Sequence, residues 1–215
     1  MTMNTTDPIQ HLAKVDPVMR KLIKQIGPFV LQLNARRPPF ETLARAVAYQ
    51  QLNGTAAETI LRRFVALFPG KKFPTPAELL GASEDALRGV GFSRAKVAAL
   101  HDLAAKTQDG VVPLARVIRR LDDDAIVARL TQIRGIGRWT VEMLLIFQLG
   151  RPDVLPVDDF SVREGFRVAY GLPSLPKPKE LLQHGERWRP YRTAAAWYLW
   201  QVVDRAKAAQ VPRTR

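Results

Sequence analysis

Apolar side chains recur at three- and four-residue intervals along nearly the whole chain, and no segment sustains the strict alternation of a half-buried strand. That pattern predicts an all-α protein. Gly and Pro interrupt it often, so the helices must be short. Val18, Leu22, Ile23, Ile26, Phe29 and Val30 share one face of a stretch over 17–33 that Pro28 breaks or kinks. Pro38-Pro39 opens a helix carrying Phe40, Leu43, Ala46 and Val47, and Asn53-Gly54 signals a turn after Gln50-Gln51-Leu52. Thr55 and Glu58 have capping-box spacing for the next helix, which runs to about Phe68. Thr75-Pro76, Ser83 and Ser93 mark further starts, the last for a helix over 94–106. Helices over 123–132, 139–149, 159–170, 179–187 and 190–207 complete the expectation. Residues 1–8 read as frayed and the basic tail 211–215 as mobile.

Composition limits the functional classes. With 215 residues, 47% of them hydrophobic, the chain can bury a real core and is not a disordered segment. A formal net charge of +13 favours a polyanionic partner, without separating DNA, RNA and an anionic membrane. The absence of cysteine excludes disulfides, a Cys-ligated zinc site and an iron–sulfur cluster. Three scattered histidines form no metal-binding constellation. No apolar run reaches membrane-spanning length, and the first residues do not read as a secretory signal.

The motif of most consequence is Gly135-Ile136-Gly137 between two helical patterns. Glycine permits a tight hairpin there and lets backbone N–H groups approach an anion. The start of the following helix adds unpaired N–H groups and a positive dipole end, a geometry suited to a nucleic-acid phosphate. Ordinary helix connections also use Gly-x-Gly. The full string over 130–140, Leu-Thr-Gln-Ile-Arg-Gly-Ile-Gly-Arg-Trp-Thr, is far more specific. Leu87-Arg88-Gly89-Val90-Gly91-Phe92 echoes it upstream and also precedes a helix.

This string resembles the helix-hairpin-helix of the HhH-GPD DNA glycosylase superfamily. The family's Pro-containing loop and Asp have a counterpart in Val154-Leu155-Pro156-Val157-Asp158-Asp159-Phe160, with Asp159 lying 22 residues past Gly137. Arg45-Ala46-Val47-Ala48-Tyr49-Gln50-Gln51-Leu52, Glu186-Arg187-Trp188-Arg189-Pro190-Tyr191-Arg192 and Trp200 match in the same order. The chain is most similar to the AlkA-type 3-methyladenine DNA glycosylase II group, in a compact form without the N-terminal β domain. The resemblance implies a two-lobed all-α fold with the active site in the interlobe cleft. One lobe would comprise 1–40 and 159–215. The other, 41–158, would carry the helix-hairpin-helix over about 123–149 and the Pro-containing loop.

The implied activity is hydrolysis of the N-glycosidic bond of alkylated purines flipped out of double-stranded DNA. Breaking that bond builds positive charge on the sugar, which a fixed carboxylate stabilises. Asp158 and Asp159 are chemically equal candidates, and either can cap the next helix. The resemblance assigns catalysis to Asp159 and a cap or supporting role to Asp158. It also places Trp139 and Trp200 in the base pocket, with Tyr49 and Met143 beside them, whereas an apolar-helix Trp is ordinarily core. Leu52 falls on the intercalating position, and Gln51 would touch neighbouring bases. Arg134, Gly135, Gly137, Arg138 and Thr140 would hold phosphate, with Arg187, Arg189 and Arg192 as further candidates.

Trp139 stands where related lyases carry Lys, so the resemblance implies a monofunctional enzyme without strand cleavage. Backbone carbonyls of Thr131, Ile133 and Ile136 match a structural Na+ or K+ site, and catalysis would need no cofactor. The expected setting is a monomer, intracellular with DNA in cytoplasm, nucleoid or nucleus. Rival readings are a glycosylase for deaminated or oxidised bases, a non-catalytic damage-binding module and a basic RNA-binding protein.

Overall fold

A computed structural model describes residues 6–52 and 54–210. Its helices, in chain order, are α1 (Thr6–Val15), α2 (Pro17–Ile26), α3 (Pro39–Tyr49), α4 (Gly54–Ala66), α5 (Pro76–Gly81), α6 (Glu84–Gly89) and α7 (Arg94–Gln108). There follow α8 (Ala115–Ile118), α9 (Asp123–Leu130), α10 (Arg138–Phe147), α11 (Phe160–Tyr170), α12 (Pro178–Gly185), a 3-10 turn (Glu186–Trp188) and α13 (Arg192–Gln210). There is no strand among the described residues, and no helix of theirs is long and apolar enough to cross a membrane.

The chain divides into two units, Met1–Leu33 with Gly150–Arg215, and Asn34–Leu149. These boundaries differ from the expected ones at 40/41 and 158/159. The loop over 150–158 joins the terminal unit because α13 holds it. The Thr193 hydroxyl donates to Arg151 O (2.7 Å) and accepts from Val154 N (3.0 Å), while Arg192 grips the Asp153 carboxylate (2.7 Å).

In the terminal unit, α11 and α13 cross at backbone contact. A Cβ on Gly165 would lie 2.1 Å from Leu199 O, so only glycine permits this approach. Leu12, Met19, Phe166, Trp188 and Tyr198 surround the crossing as core. Asp16 is buried among them, 1% exposed. It caps α2 through Val18 N and Met19 N. Its Oδ2 accepts from Tyr170 Oη (2.6 Å) and Trp188 Nε1 (2.9 Å), with His184 Nε2 at 3.2 Å. Burial pushes this carboxyl up, but the bonds from His184, Tyr170, Trp188 and the Met19 amide together outweigh it and hold the group well below the usual carboxylate range.

In the central unit, α7 packs on α3 and α5, and α3 on α4. Leu43, Val47, Phe64, Leu100 and Leu103 fill that interior. Ser83 and Ser93 cap α6 and α7, and Thr75 with Glu78 closes a capping box on α5. The echo at 87–92 is the α6–α7 connection.

Several elements depart from the local pattern. Residues 6–15 are helical rather than frayed up to 8, since Leu12 is fully buried. Helix α2 stops at Ile26, where Gly27 adopts φ +97°, ahead of Pro28. Helix α4 already runs from Gly54, so Thr55 lies inside the helix and the Thr55–Glu58 capping box does not form. The Glu58 carboxylate instead accepts from the Tyr49 hydroxyl. Asn53, the first five residues and the tail 211–215 lie outside the described residues.

Candidate functional site

The hairpin links α9 to α10. Gly135 turns it at φ +75°, and Ile133 and Ile136 anchor it in the core. Gly137 stands at the N-cap of α10 with no side-chain capping bond. The amides of Arg138, Trp139 and Thr140 are therefore the first N–H groups of a helix, a ready anion cradle. Arg134 is exposed, while the Arg138 guanidinium is turned onto the buried Glu142 carboxylate (3.0 Å). Thr140 is buried, 4% exposed.

Two supports of this hairpin were not legible in the sequence. Asp102 on α7 accepts from Arg134 N (2.7 Å), and Lys106 bridges Asp102 (2.9 Å) and Gln132 O (2.5 Å). Burial raises the Asp102 carboxyl, but the Arg134 amide and Lys106 hold it lowered overall. From the other side the Gln50 amide donates to Gly135 O (2.8 Å), tying the end of α3 to the hairpin.

Beside the hairpin lies a cavity of about 420 Å³, lined by Ala46, Tyr49, Gln50, Gln51, Trp139, Thr140 and Met143. Trp139 presents its ring there, 43% exposed. Tyr49, Gln51, Trp139 and Met143, all expected near a base, thus come together within one unit. A second cavity of about 510 Å³ shares Ala46, Tyr49, Thr140 and Met143 and extends to Arg37, Arg45 and Glu58. Leu52 stands exposed on the turn after Gln51, whose φ of +58° throws the chain outward.

In the terminal unit Asp159 is the N-cap of α11. Its Oδ1 accepts from Val162 N (2.8 Å) and from the Trp200 indole N–H (3.1 Å). The cap therefore falls on Asp159; Asp158 is exposed and does not occupy it. Trp200 acts here as a donor that orients the carboxylate. Arg189 and Arg192 pair with Asp153 and Glu186 and so clasp the 150–158 loop, while Arg187 donates to His184 O; Arg187 and Arg189 remain exposed.

Comparison with known proteins bears on the family and the fold. The family model "HhH-GPD superfamily base excision DNA repair protein" matches residues 44–190. DNA-3-methyladenine glycosylase 1 of Schizosaccharomyces pombe is 43% identical over 193 residues, covering 89% of this chain and 85% of that protein. The solved structure of the S. pombe 3-methyladenine DNA glycosylase Mag1 in complex with abasic DNA superposes with a TM-score of 0.84 at 42% identity, covering 91% of this chain and 95% of that one. A DNA-3-methyladenine glycosidase from Bacillus halodurans gives 0.83 at 30% identity, covering 96% and 94%.

Proposed function

The chain belongs to the HhH-GPD superfamily of base excision DNA repair proteins, and from that premise we propose that it is a DNA glycosylase hydrolysing the N-glycosidic bond of alkylated purines, of the 3-methyladenine and 7-methylguanine class, in double-stranded DNA. The observation that carries this reading is the doubly held Asp159 carboxylate. Val162 N–H and the Trp200 indole both grip Oδ1, which fixes the plane of the group. A carboxylate so oriented stabilises positive charge developing on the deoxyribose and directs the attacking water.

A purine alkylated at a ring nitrogen is already cationic, so it leaves without being protonated. The aromatic walls Trp139 and Tyr49, with Met143, suit such a flipped base. The amides following Gly137, with Gly135 and Arg134 on the hairpin, hold a phosphate. Leu52 fills the gap left by the base, and Gln51 contacts its neighbours. Trp139 offers no amine for a Schiff base, so the reaction ends at an abasic site. Asp158, exposed beside Asp159, contributes local negative charge.

The hydrolysis needs no further cofactor. The carbonyls of Thr131, Ile133 and Ile136 are neutral oxygen donors on one turn, a set that suits Na+ or K+. Ile133 O accepts from Ile136 N (3.0 Å) and retains a second lone pair. Such an ion would stiffen the hairpin beneath a phosphate. The protein acts as a monomer on DNA inside the cell, in cytoplasm, nucleoid or nucleus, and engages no membrane.

Single-lesion duplexes test the reading. Wild type should release 3-methyladenine and 7-methylguanine. Asp159→Asn should slow release by about a hundredfold or more, while Asn preserves the helix cap. Retained activity in Asp159→Asn refutes the assignment, and a borohydride-trapped adduct with abasic DNA refutes monofunctional hydrolysis.

A further inference from the structure

The larger cavity that adjoins the proposed base cavity has one acidic side chain in its lining whose role neither capping nor catalysis explains. Glu58 projects from α4, and its carboxylate accepts a hydrogen bond from the hydroxyl of Tyr49, one of the residues that line both cavities. Two basic side chains, Arg37 and Arg45, line the larger cavity with it. Glu41 engages both, Arg45 at 2.8 Å and Arg37 at 3.9 Å, and Arg45 also lies over the Phe73 ring at 5.1 Å. Glu41 thus engages Arg45 closely and Arg37 more loosely, and Glu58 supplies the second negative charge beside the two guanidiniums.

We propose that Glu58, acting through Tyr49, is a specificity-determining residue that biases the cavity toward cationic bases over neutral ones. The inference rests on the assignment of the cavity walled by Trp139, Tyr49 and Met143 to the flipped base and deepens it. Hydrogen bonding to a carboxylate polarises a phenol and enriches its ring in electron density, which strengthens the attraction of the ring face for a cation. Glu58 adds a fixed negative charge at one remove. A neutral base of similar shape gains neither contribution and keeps only stacking and apolar contact. In support, the Glu58 bond is the leading cause that raises the Tyr49 hydroxyl above its ordinary value. Glu58 is a positioning and field-setting residue and never touches the reacting bond.

The test compares single-turnover excision of 7-methylguanine, which is cationic in the nucleotide, with that of neutral ethenoadenine. Saturating protein and long time courses keep slow substrates measurable. Glu58→Gln preserves an acceptor for Tyr49 but removes the charge, and Tyr49→Phe preserves the ring but removes the hydroxyl. Each should lower the 7-methylguanine to ethenoadenine rate ratio by about threefold to tenfold, the scale of a cation–π contribution. The double variant should fall no further than the more affected single variant, because both changes break one link.

An unchanged ratio in Glu58→Gln, whatever happens to the absolute rates, overturns the proposal while leaving the glycosylase reading intact. So does full additivity in the double variant. A wild type that releases neither base overturns the underlying reading and the proposal with it. Thermal unfolding of each variant accompanies the rates; a fold defect slows both substrates together and leaves the ratio unmoved.

Discussion

Gly165→Ala probes the contact that brings α11 and α13 together. The added methyl would sit 2.1 Å from Leu199 O, 2.7 Å from Leu199 C and 3.0 Å from its Cα. All three are backbone atoms, so no side-chain rotation relieves the clash. Restoring contact at 3.4 Å requires the helices to part by about 1.3 Å along that line. On an exposed helix, Gly→Ala gains roughly 0.5–1 kcal/mol. Overpacking of this kind costs roughly 1–3 kcal/mol, and a rigid backbone partner puts it at the upper end, for a net loss of about 2 kcal/mol. For a chain of this length that is a drop in Tm of about 4–8 °C.

The same displacement acts on the carboxylate. Asp159 caps the start of α11, and Trp200 follows Leu199 on α13. Their 3.1 Å bond does not survive a separation of that size. Single-turnover release of 7-methylguanine should slow by about tenfold, in line with misplacement of a catalytic group. Thermal unfolding and excision kinetics check the two halves separately. A Tm at or above that of wild type refutes the packing argument. A lowered Tm with an unchanged rate refutes the claim that this crossing aims Asp159.

Asp16→Asn should lower stability by about 3 kcal/mol near neutral pH, because it weakens a buried, charge-assisted hydrogen-bond cluster; urea unfolding measures it. The folded carboxyl is held below its unfolded value, so its contribution is fully present above about pH 4 and is lost as pH falls through the folded value. The stability gap between wild type and variant should therefore shrink in acid below about pH 4, and a gap that widens there would contradict the assignment. Asp102→Ala removes the acceptor of the Arg134 amide and should weaken binding to duplex DNA by about fivefold, read by fluorescence anisotropy, with excision at saturating protein little changed. Leu52→Ala should reduce both excision and affinity by several-fold, and intact values for both would remove Leu52 from the intercalating role.

The elements legible in the sequence are those whose cause is local. Ser83 and Ser93 cap their helices through the amide three residues on, and the apolar spacing of Phe40, Leu43 and Val47 sets the buried face of α3. The Gly-Ile-Gly hairpin and its buried isoleucines belong to the same class. What escaped has a distant partner. Asp16 looks like an ordinary helix cap, and only Tyr170, Trp188 and His184, more than 150 positions away, make it a buried hub. Gly165 looks like a weak point in a helix until Leu199 is set against it. The loop over 150–158 appeared to belong with the segment before it because Arg192 and Thr193 act on it from far along the chain.

Glu58 shows how a correct local rule can yield the wrong partner. Its spacing from Thr55 satisfies a capping box, yet the helix starts at Gly54 and the carboxylate turns to Tyr49. Asp159 is the converse case. In the sequence cap and catalyst read as alternatives, yet the geometry of Asp159 is compatible with both. The bond from Val162 N that makes Asp159 a cap also fixes the carboxylate, and the Trp200 bond to the same oxygen completes that restraint. A helix cap is among the more rigid places a protein can hold a carboxylate, because its oxygen is tied to backbone and not to a mobile side chain. The structural role is therefore the means by which a chemical role becomes available, and removing the charge without removing the cap separates the two.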